Sequence, residues 1–170
     1  METTKLLPSE LKIFNFAKKE VSFFGEYLIS SLPRISEIAI NKEDRVKVDL
    51  SFYLENDKTP CIKGIIELNI VLECQRCLEA LQKHLKVNFN LAFVRNELQA
   101  EELDSQYEIY VIEGDELATI DLITDEILLS LPMAPSHNYE CNLNKVKQEI
   151  VKEKRENPFT ILKNIKIADV

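Results

Sequence analysis

The fold of this chain is decided by residues 67–81, ELNIVLECQRCLEAL, which hold Cys74 and Cys77 near their centre. Apolar side chains alternate with mostly polar ones both before this pair, over Ile66–Leu72, and after it, over Leu81–Phe93. Alternation with a period of two predicts a half-buried strand on each side. The two thiols therefore lie at a chain reversal, where backbone N–H groups are free to point at sulfur, as in a thiolate–metal site.

The segment after the second cysteine also satisfies a helical spacing, with Leu78, Leu81 and Leu85 on one face. In a helix, Cys74 and Cys77 would stand at the N-terminus, where a redox-active dithiol is activated. The alternation runs unbroken to Phe93, so the pattern favours a strand.

Around this reversal the sequence predicts a three-stranded antiparallel meander. Its first strand covers residues 46–54, residues 56–60 form a turn, and Gly64 in the next strand indicates a bulge. A further short strand is predicted at 23–28 and another at 107–111, with an exposed acidic loop at 96–106 before it.

Helices are predicted on either side of the sheet. The first begins at Ser9 as N-cap, and the second covers residues 120–131, capped by Thr119 or Asp121. The acids of the second helix, which are Asp121, Asp125 and Glu126, are expected to face outward. A charged helix over 142–154 and a closing helix over 157–166 complete the chain. The sequence thus predicts an α+β fold: an antiparallel sheet, as a meander or partial barrel, flanked by N-terminal, central and C-terminal helices.

Length and composition predict a single domain over residues 1–170, with 142–170 as a charged helical C-terminal arm. No apolar run approaches the roughly 20 residues that span a bilayer, and the first residues lack the features of a signal peptide. The expected location is the cytoplasm, where the four cysteines are reduced thiols or metal ligands.

The net charge of −8 is unevenly distributed. Residues 1–94 have a net charge of zero, residues 95–140 have a net charge of −11, and residues 141–170 have a net charge of +3. The acidic middle repels phosphate backbones, which excludes a general nucleic-acid coat protein. The balance favours a protein partner, or contact with RNA over a small face.

Four side chains could together hold a metal such as zinc: Cys74, Cys77, His137 and Cys141. Thiolate and imidazole are the ligands that zinc prefers, and each pair has a spacing that suits chelation from one turn. The two pairs lie sixty residues apart, so only a tertiary contact can unite them. The alternative is that all four cysteines are reduced, with Cys61 and Cys74 packed as small apolar side chains.

A basic set on and after the reversal, expected on the polar face opposite Leu85 and Val87, is a candidate contact surface for RNA or a partner: Arg76, Lys83, His84 and Lys86. Lys152, Lys154 and Arg155 of the C-terminal arm could extend it. The alternative is an ordinary solvent-facing strand. No catalytic residue is predicted, because the acids of the central helix are typical of a solvated face and no glycine-rich loop is present.

Three motifs together resemble the YceD family, the large ribosomal RNA subunit accumulation proteins of bacteria and plastids. They are LECQRCL (72–78), IDLITDEILLSLP (120–132) and NPFTIL (157–162), in this order along the chain. The resemblance implies a non-enzymatic role in the synthesis, processing or stability of 23S rRNA, and so in assembly of the large ribosomal subunit. It also implies that the gene often lies beside that of a large-subunit ribosomal protein.

Residue by residue, the family's cysteine element falls on Cys74, Arg76 and Cys77. The acidic helix before Leu-Pro falls on Asp121, Asp125, Glu126 and Pro132. The late loop departs from the family, because many members resemble a zinc ribbon there, with further cysteine pairs, whereas this chain has only His137 and Cys141.

The expected partners are large-subunit rRNA or a ribosomal or assembly protein, with no membrane and no small-molecule substrate. Two other functions stay open at this point. One is a cytosolic thiol oxidoreductase that uses Cys74 and Cys77, and the other is a zinc-stabilised adaptor without RNA contact.

Overall fold

The computed structural model describes residues 5–100, 103 and 105–141 of the 170-residue chain. The strands are β1 (Lys5–Leu6), β2 (Glu10–Lys12), β3 (Ser22–Leu28), β4 (Arg45–Glu55), β5 (Thr59–Glu73), β6 (Ala80–Val94), β7 (Glu108–Val111) and β8 (Glu116–Ala118). The α-helices are α1 (Ile13–Lys18), α2 (Pro33–Ile38), α3 (Glu97–Ala100) and α4 (Thr119–Ser130), and Ile29–Ser31 form a 3₁₀ turn.

The main sheet has six strands in the order β1-β3-β4-β5-β6-β7, and β2 pairs with β8 in a separate two-stranded ribbon. The strands β3 to β6 form an antiparallel meander, so the predicted α+β class and its meander are confirmed. The edge strands β1 and β7 each run parallel to their neighbour, which the sequence did not predict. A parallel pair needs a long connection, and α3 lies in the connection between β6 and β7.

One face of the meander is apolar and carries the core. Buried side chains alternate along β4 from Val46 to Phe52 and along β5 from Ile62 to Leu72, as the period-two pattern predicts. Side chains of α1 and α4, including Ile13, Ile123 and Ile127, belong to the same buried cluster. The helices therefore cover one face of the sheet, as is usual for an antiparallel sheet, and the other face is largely exposed apart from a small buried cluster around Cys61, Ala92 and Tyr107.

Gly64 does not form a bulge, because β5 keeps an unbroken register with both of its neighbours. It lies opposite Phe89 of β6, whose ring packs over it. A Cβ added at Gly64 would lie 1.9 Å from Phe89 Cζ, so no larger residue fits without moving the ring. The glycine thus makes room for an aromatic side chain on the core face.

We expect Gly64→Ala to destabilise the fold by about 1–3 kcal/mol, because the buried ring of Phe89 must leave its packed position. Gly114→Ala is the matched control, since the nearest atom to its added Cβ is 3.9 Å away. Urea unfolding of both variants measures the difference. Equal urea midpoints for the two variants would show that the Phe89 ring can move without a loss of stability.

The N-terminal helix begins later than predicted, at Ile13, and Ser9 does not cap it. Residues 10–12 instead form β2, in which Leu11 pairs with Leu117 of β8. The backbone carbonyl of Ser9 accepts a hydrogen bond from Thr119 N at 3.0 Å. Pairing with a distant strand thus overrides the local capping signal.

The central helix has the predicted extent, but neither predicted cap is used. Its N-cap is Ala118, and no side chain caps it. The hydroxyl of Thr119 is fully buried and donates to the Pro8 carbonyl at 2.6 Å, so it ties the N-terminal segment to the helix. Asp121 lies in the first helical turn, where its charge is favourable to the helix dipole.

Glu126 faces inward, contrary to the prediction. Its side chain is 7% exposed, whereas Asp121 is exposed and Asp125 pairs with Arg34 of α2. Glu126 lines a cavity between α4 and β7 together with Leu91 and Tyr110. The apolar spacing of the helix did not predict this, because residues of β6 and β7 lie beside a flank of α4 that an isolated amphipathic helix would expose.

The predicted helices over 142–154 and 157–166, and so the proposed C-terminal arm, lie outside the described residues. None of the helices in the described part of the chain has both the length and the apolar character needed to cross a bilayer.

Candidate functional site

The reversal between β5 and β6, residues 74–79, forms a compact tip. Cys74 N donates to the Glu79 carbonyl at 2.9 Å, and Leu78 N donates to the Cys74 carbonyl at 2.8 Å. Leu78 closes the turn in the left-handed region, with φ of 62°. The strand interpretation of residues 81–93 is confirmed, and the helical alternative for residues 78–85 is wrong.

The late loop, residues 131–141, leaves the end of α4 and packs on this tip. Gln75 N donates to the Pro135 carbonyl at 2.8 Å, which joins the two segments through the backbone. This contact carries His137 and Cys141 to the two cysteines of the tip. The sixty-residue gap in the sequence is therefore closed in the fold.

The four candidate metal ligands form one Cys3His cluster: Cys74, Cys77, His137 and Cys141. Their donor atoms all lie within 4.8 Å of one another. The Sγ atoms of Cys74 and Cys141 are 3.9 Å apart. His137 Nδ1 lies 3.5 Å from Cys77 Sγ and 3.4 Å from Cys141 Sγ. The two tip cysteines are buried, and the two residues of the late loop are half-buried.

The backbone around the tip sets the ionisation of its thiols. Burial raises the pKa of Cys74, but N–H groups of Arg76, Cys77 and His137 donate hydrogen bonds to its sulfur and lower the pKa to about 6. Burial raises the pKa of Cys77 to about 11, and the neighbouring thiols add to that increase. The backbone of the tip thus favours the thiolate form of Cys74.

Arg76 ties the late loop to the tip. Its Nε donates to Cys141 Sγ at 3.2 Å, and its Nη2 donates to the carbonyl of His137 at 3.0 Å and also to that of Tyr139. Sequence reasoning assigned Arg76 to RNA or partner contact. In the structure its guanidinium is occupied by the cluster and its surroundings.

Lys83, His84 and Lys86, the other basic residues of the set that the structure describes, do not form one positive surface. Lys83 lies on the same side of β6 as Leu85, because alternate residues of a strand share a face, so its predicted position opposite Leu85 and Val87 is wrong. His84 faces outward and is hydrogen-bonded to Asn69 at 2.9 Å. Lys86 also faces outward and pairs with Glu67 at 2.6 Å. The arm residues Lys152, Lys154 and Arg155 lie outside the described residues.

Sequence reasoning missed a row of alternating charge on the outer face of the sheet. Strand pairing aligns Glu26, Lys47, Glu67 and Lys86 across β3, β4, β5 and β6. Opposite charges side by side on neighbouring strands stabilise a sheet modestly. The register that creates the row is not visible in any one strand of the sequence.

Comparison with known proteins places this site in a family. The family model described as "Large ribosomal RNA subunit accumulation protein YceD" matches residues 62–166, which include both the tip and the late loop. The chain belongs to the YceD family.

A curated member of the YceD family extends this comparison over nearly the whole chain. The large ribosomal RNA subunit accumulation protein YceD of Haemophilus influenzae is 34% identical over 169 residues, covering 94% of this chain and 96% of the relative. No solved structure matches the chain significantly. The family resemblance drawn from the three motifs is thereby confirmed.

Proposed function

We propose that this protein supports the accumulation of 23S rRNA in the cytoplasm, as a non-catalytic factor in the biogenesis of the large ribosomal subunit. The observation that carries the proposal is membership of the YceD family over residues 62–166, together with a relative of that name similar over 94% of the chain. The proposed partner is large-subunit rRNA or a protein bound to it.

The charge of the described surface favours a small contact area. Acids balance the cations of the outer sheet face, and the segment 95–140 is strongly acidic. An extended phosphate backbone would meet repulsion over much of this surface. We propose contact through the β5–β6 hairpin close to the tip, with Lys83 on one of its faces and Lys86 on the other.

The position of the two tip cysteines favours this role over a thiol oxidoreductase. That function would use a dithiol at a helix N-terminus, whereas Cys74 and Cys77 lie in a strand-to-strand reversal. Their sulfurs also lie against His137 and Cys141.

Deletion of the gene tests the proposed role. We expect a lower ratio of large to small ribosomal subunits on sucrose gradients and less 23S rRNA by quantitative hybridisation, both restored by the wild-type gene. Unchanged 23S rRNA and unchanged gradients in the deletion strain would refute the proposal.

A matched pair of double variants tests the contact surface separately. Lys83→Ala with Lys86→Ala should restore large subunits poorly, whereas Lys18→Ala with Lys19→Ala, at the exposed end of α1, should restore them fully. Full restoration by both, with equal protein levels, would place the contact elsewhere while leaving the role intact.

A further inference from the structure

We propose that the Cys3His cluster is a structural zinc site, with Cys74 Sγ, Cys77 Sγ, His137 Nδ1 and Cys141 Sγ as its four ligands. The inference concerns the stability and shape of the hairpin tip. It does not depend on the proposed role in rRNA accumulation.

Three of the six distances between donor atoms are close to those of a tetrahedral zinc site, and all six are within 4.8 Å. Zinc–sulfur bonds of about 2.3 Å and zinc–nitrogen bonds of about 2.0–2.1 Å at tetrahedral angles separate two sulfurs by about 3.8 Å, and sulfur from nitrogen by about 3.6 Å. The chain gives 3.9 Å for Cys74 to Cys141, and 3.5 and 3.4 Å for His137 to Cys77 and Cys141. The donors are therefore already positioned around one central point.

The imidazole of His137 is oriented to ligate through Nδ1. Its Nε2 lies 3.3 Å from the Ala80 carbonyl oxygen, which can only accept, so Nε2 must carry the proton. In the neutral ring Nδ1 then presents its lone pair to the sulfurs. A histidine ligand fixed through its other nitrogen by a backbone carbonyl is the usual arrangement at metal sites.

The surroundings of the cluster compensate its charge. A zinc ion with three thiolates carries a net charge of −1, and the guanidinium of Arg76 donates directly to Cys141 Sγ. Backbone N–H groups of Arg76, Cys77 and His137 also donate to Cys74 Sγ. Buried thiolates need such donors, because water cannot solvate them there.

The site offers four protein ligands and mostly soft sulfur donors, and both features favour a structural zinc ion over other metals. Four protein ligands fill a tetrahedral shell and leave no position for water or substrate, unlike a catalytic site. Three sulfurs and one imidazole exclude magnesium and calcium, which prefer oxygen. Zinc at this position would pin the late loop to the hairpin tip directly, in addition to the hydrogen bonds that the backbone of Gln75 and the side chain of Arg76 already make between them.

Elemental analysis of the purified full-length chain tests the proposal. We expect about one zinc ion per chain, with iron and copper near zero. Cys141→Ser and His137→Ala should each lose most of this zinc. Cys61→Ser is the matched control and should keep it, because Cys61 is buried in a separate cluster with Ala92 and Tyr107.

Folding must be monitored, because a ligand variant that unfolds would lose zinc trivially. Circular dichroism should show that Cys141→Ser retains its sheet, since the main core contains none of the four ligands. Replacing zinc with Co²⁺ in the wild-type chain should produce the absorption bands of tetrahedral cobalt–thiolate coordination. A chain without stoichiometric metal, iron in place of zinc, or zinc retained by the folded Cys141→Ser and His137→Ala variants would overturn the proposal.

Discussion

Glu126→Gln is expected to stabilise the protein by about 2 kcal/mol at about pH 8 and to have little effect at about pH 4. Burial, together with the negative charges of Glu108 and Asp125, raises the pKa of the Glu126 carboxyl to about 7. Arg34, the cation that lines the same cavity, is paired with Asp125. Ionised Glu126 therefore lies in apolar surroundings, beside two other acids.

The sign of the effect follows from this raised pKa. The folded protein holds the Glu126 proton more tightly than the unfolded chain, so the wild type is most stable below the ordinary value of 4.5. Its stability falls as the pH rises toward about 7, where the folded carboxyl must also ionise. Glutamine resembles the protonated acid in shape and removes this loss.

Urea unfolding of the wild type and the variant across this pH range measures the effect. Asp121→Asn is the control, because Asp121 is an exposed acid on the same helix. It should change stability by less than ~1 kcal/mol, the usual size of a helix-dipole effect at an exposed first-turn acid. A Glu126→Gln gain that is the same at both ends of the range would show that the carboxyl is not the cause.

Arg76→Ala is expected to weaken zinc binding about 10–100-fold, the usual effect of removing a group that supports a metal ligand. The guanidinium donates to Cys141 Sγ and to two carbonyls of the late loop, so its loss removes charge compensation and three hydrogen bonds together. Arg76→Lys keeps the charge but not the planar fork, and its affinity should be intermediate.

Competition with a chromophoric chelator measures the zinc affinity of each variant. Arg45→Ala is the control, since Arg45 is an exposed arginine that pairs with Glu26 on the outer face. Digestion by a protease should also become faster within residues 131–141 of Arg76→Ala. Wild-type affinity in Arg76→Ala would show that the arginine orients none of the ligands.

The strands of the meander could be predicted from the sequence, because buried apolar and exposed polar side chains alternate along a half-buried strand. The same alternation places Lys83 on the face of Leu81 and Leu85. The prediction that Lys83 lies on the outer face did not apply this alternation. Edge strand β7 was predicted, but its parallel pairing with β6 was not. The residue pattern of so short a strand does not distinguish parallel from antiparallel pairing. Ser9 and Thr119 carried capping signals that contacts between distant segments overrode.

The membership of the Cys3His cluster was predictable from chemistry alone, because few residue types bind zinc and this chain has only four cysteines and two histidines. The supporting contacts were not predictable. The Ala80 carbonyl that holds His137 and the Pro135 carbonyl that receives Gln75 N are backbone groups, which any residue provides. Arg76 was singled out for its charge, and only the fold shows which acceptors its donors reach.

The charge row formed by Glu26, Lys47, Glu67 and Lys86 has a consequence for experiments in solution. Each cation in it has an anionic neighbour, so binding a polyanion there would release few condensed counterions. A plot of the logarithm of RNA affinity against the logarithm of salt concentration would then be shallow. A steep slope would assign the phosphate contacts to another part of the protein, such as residues 141–170 with their net charge of +3.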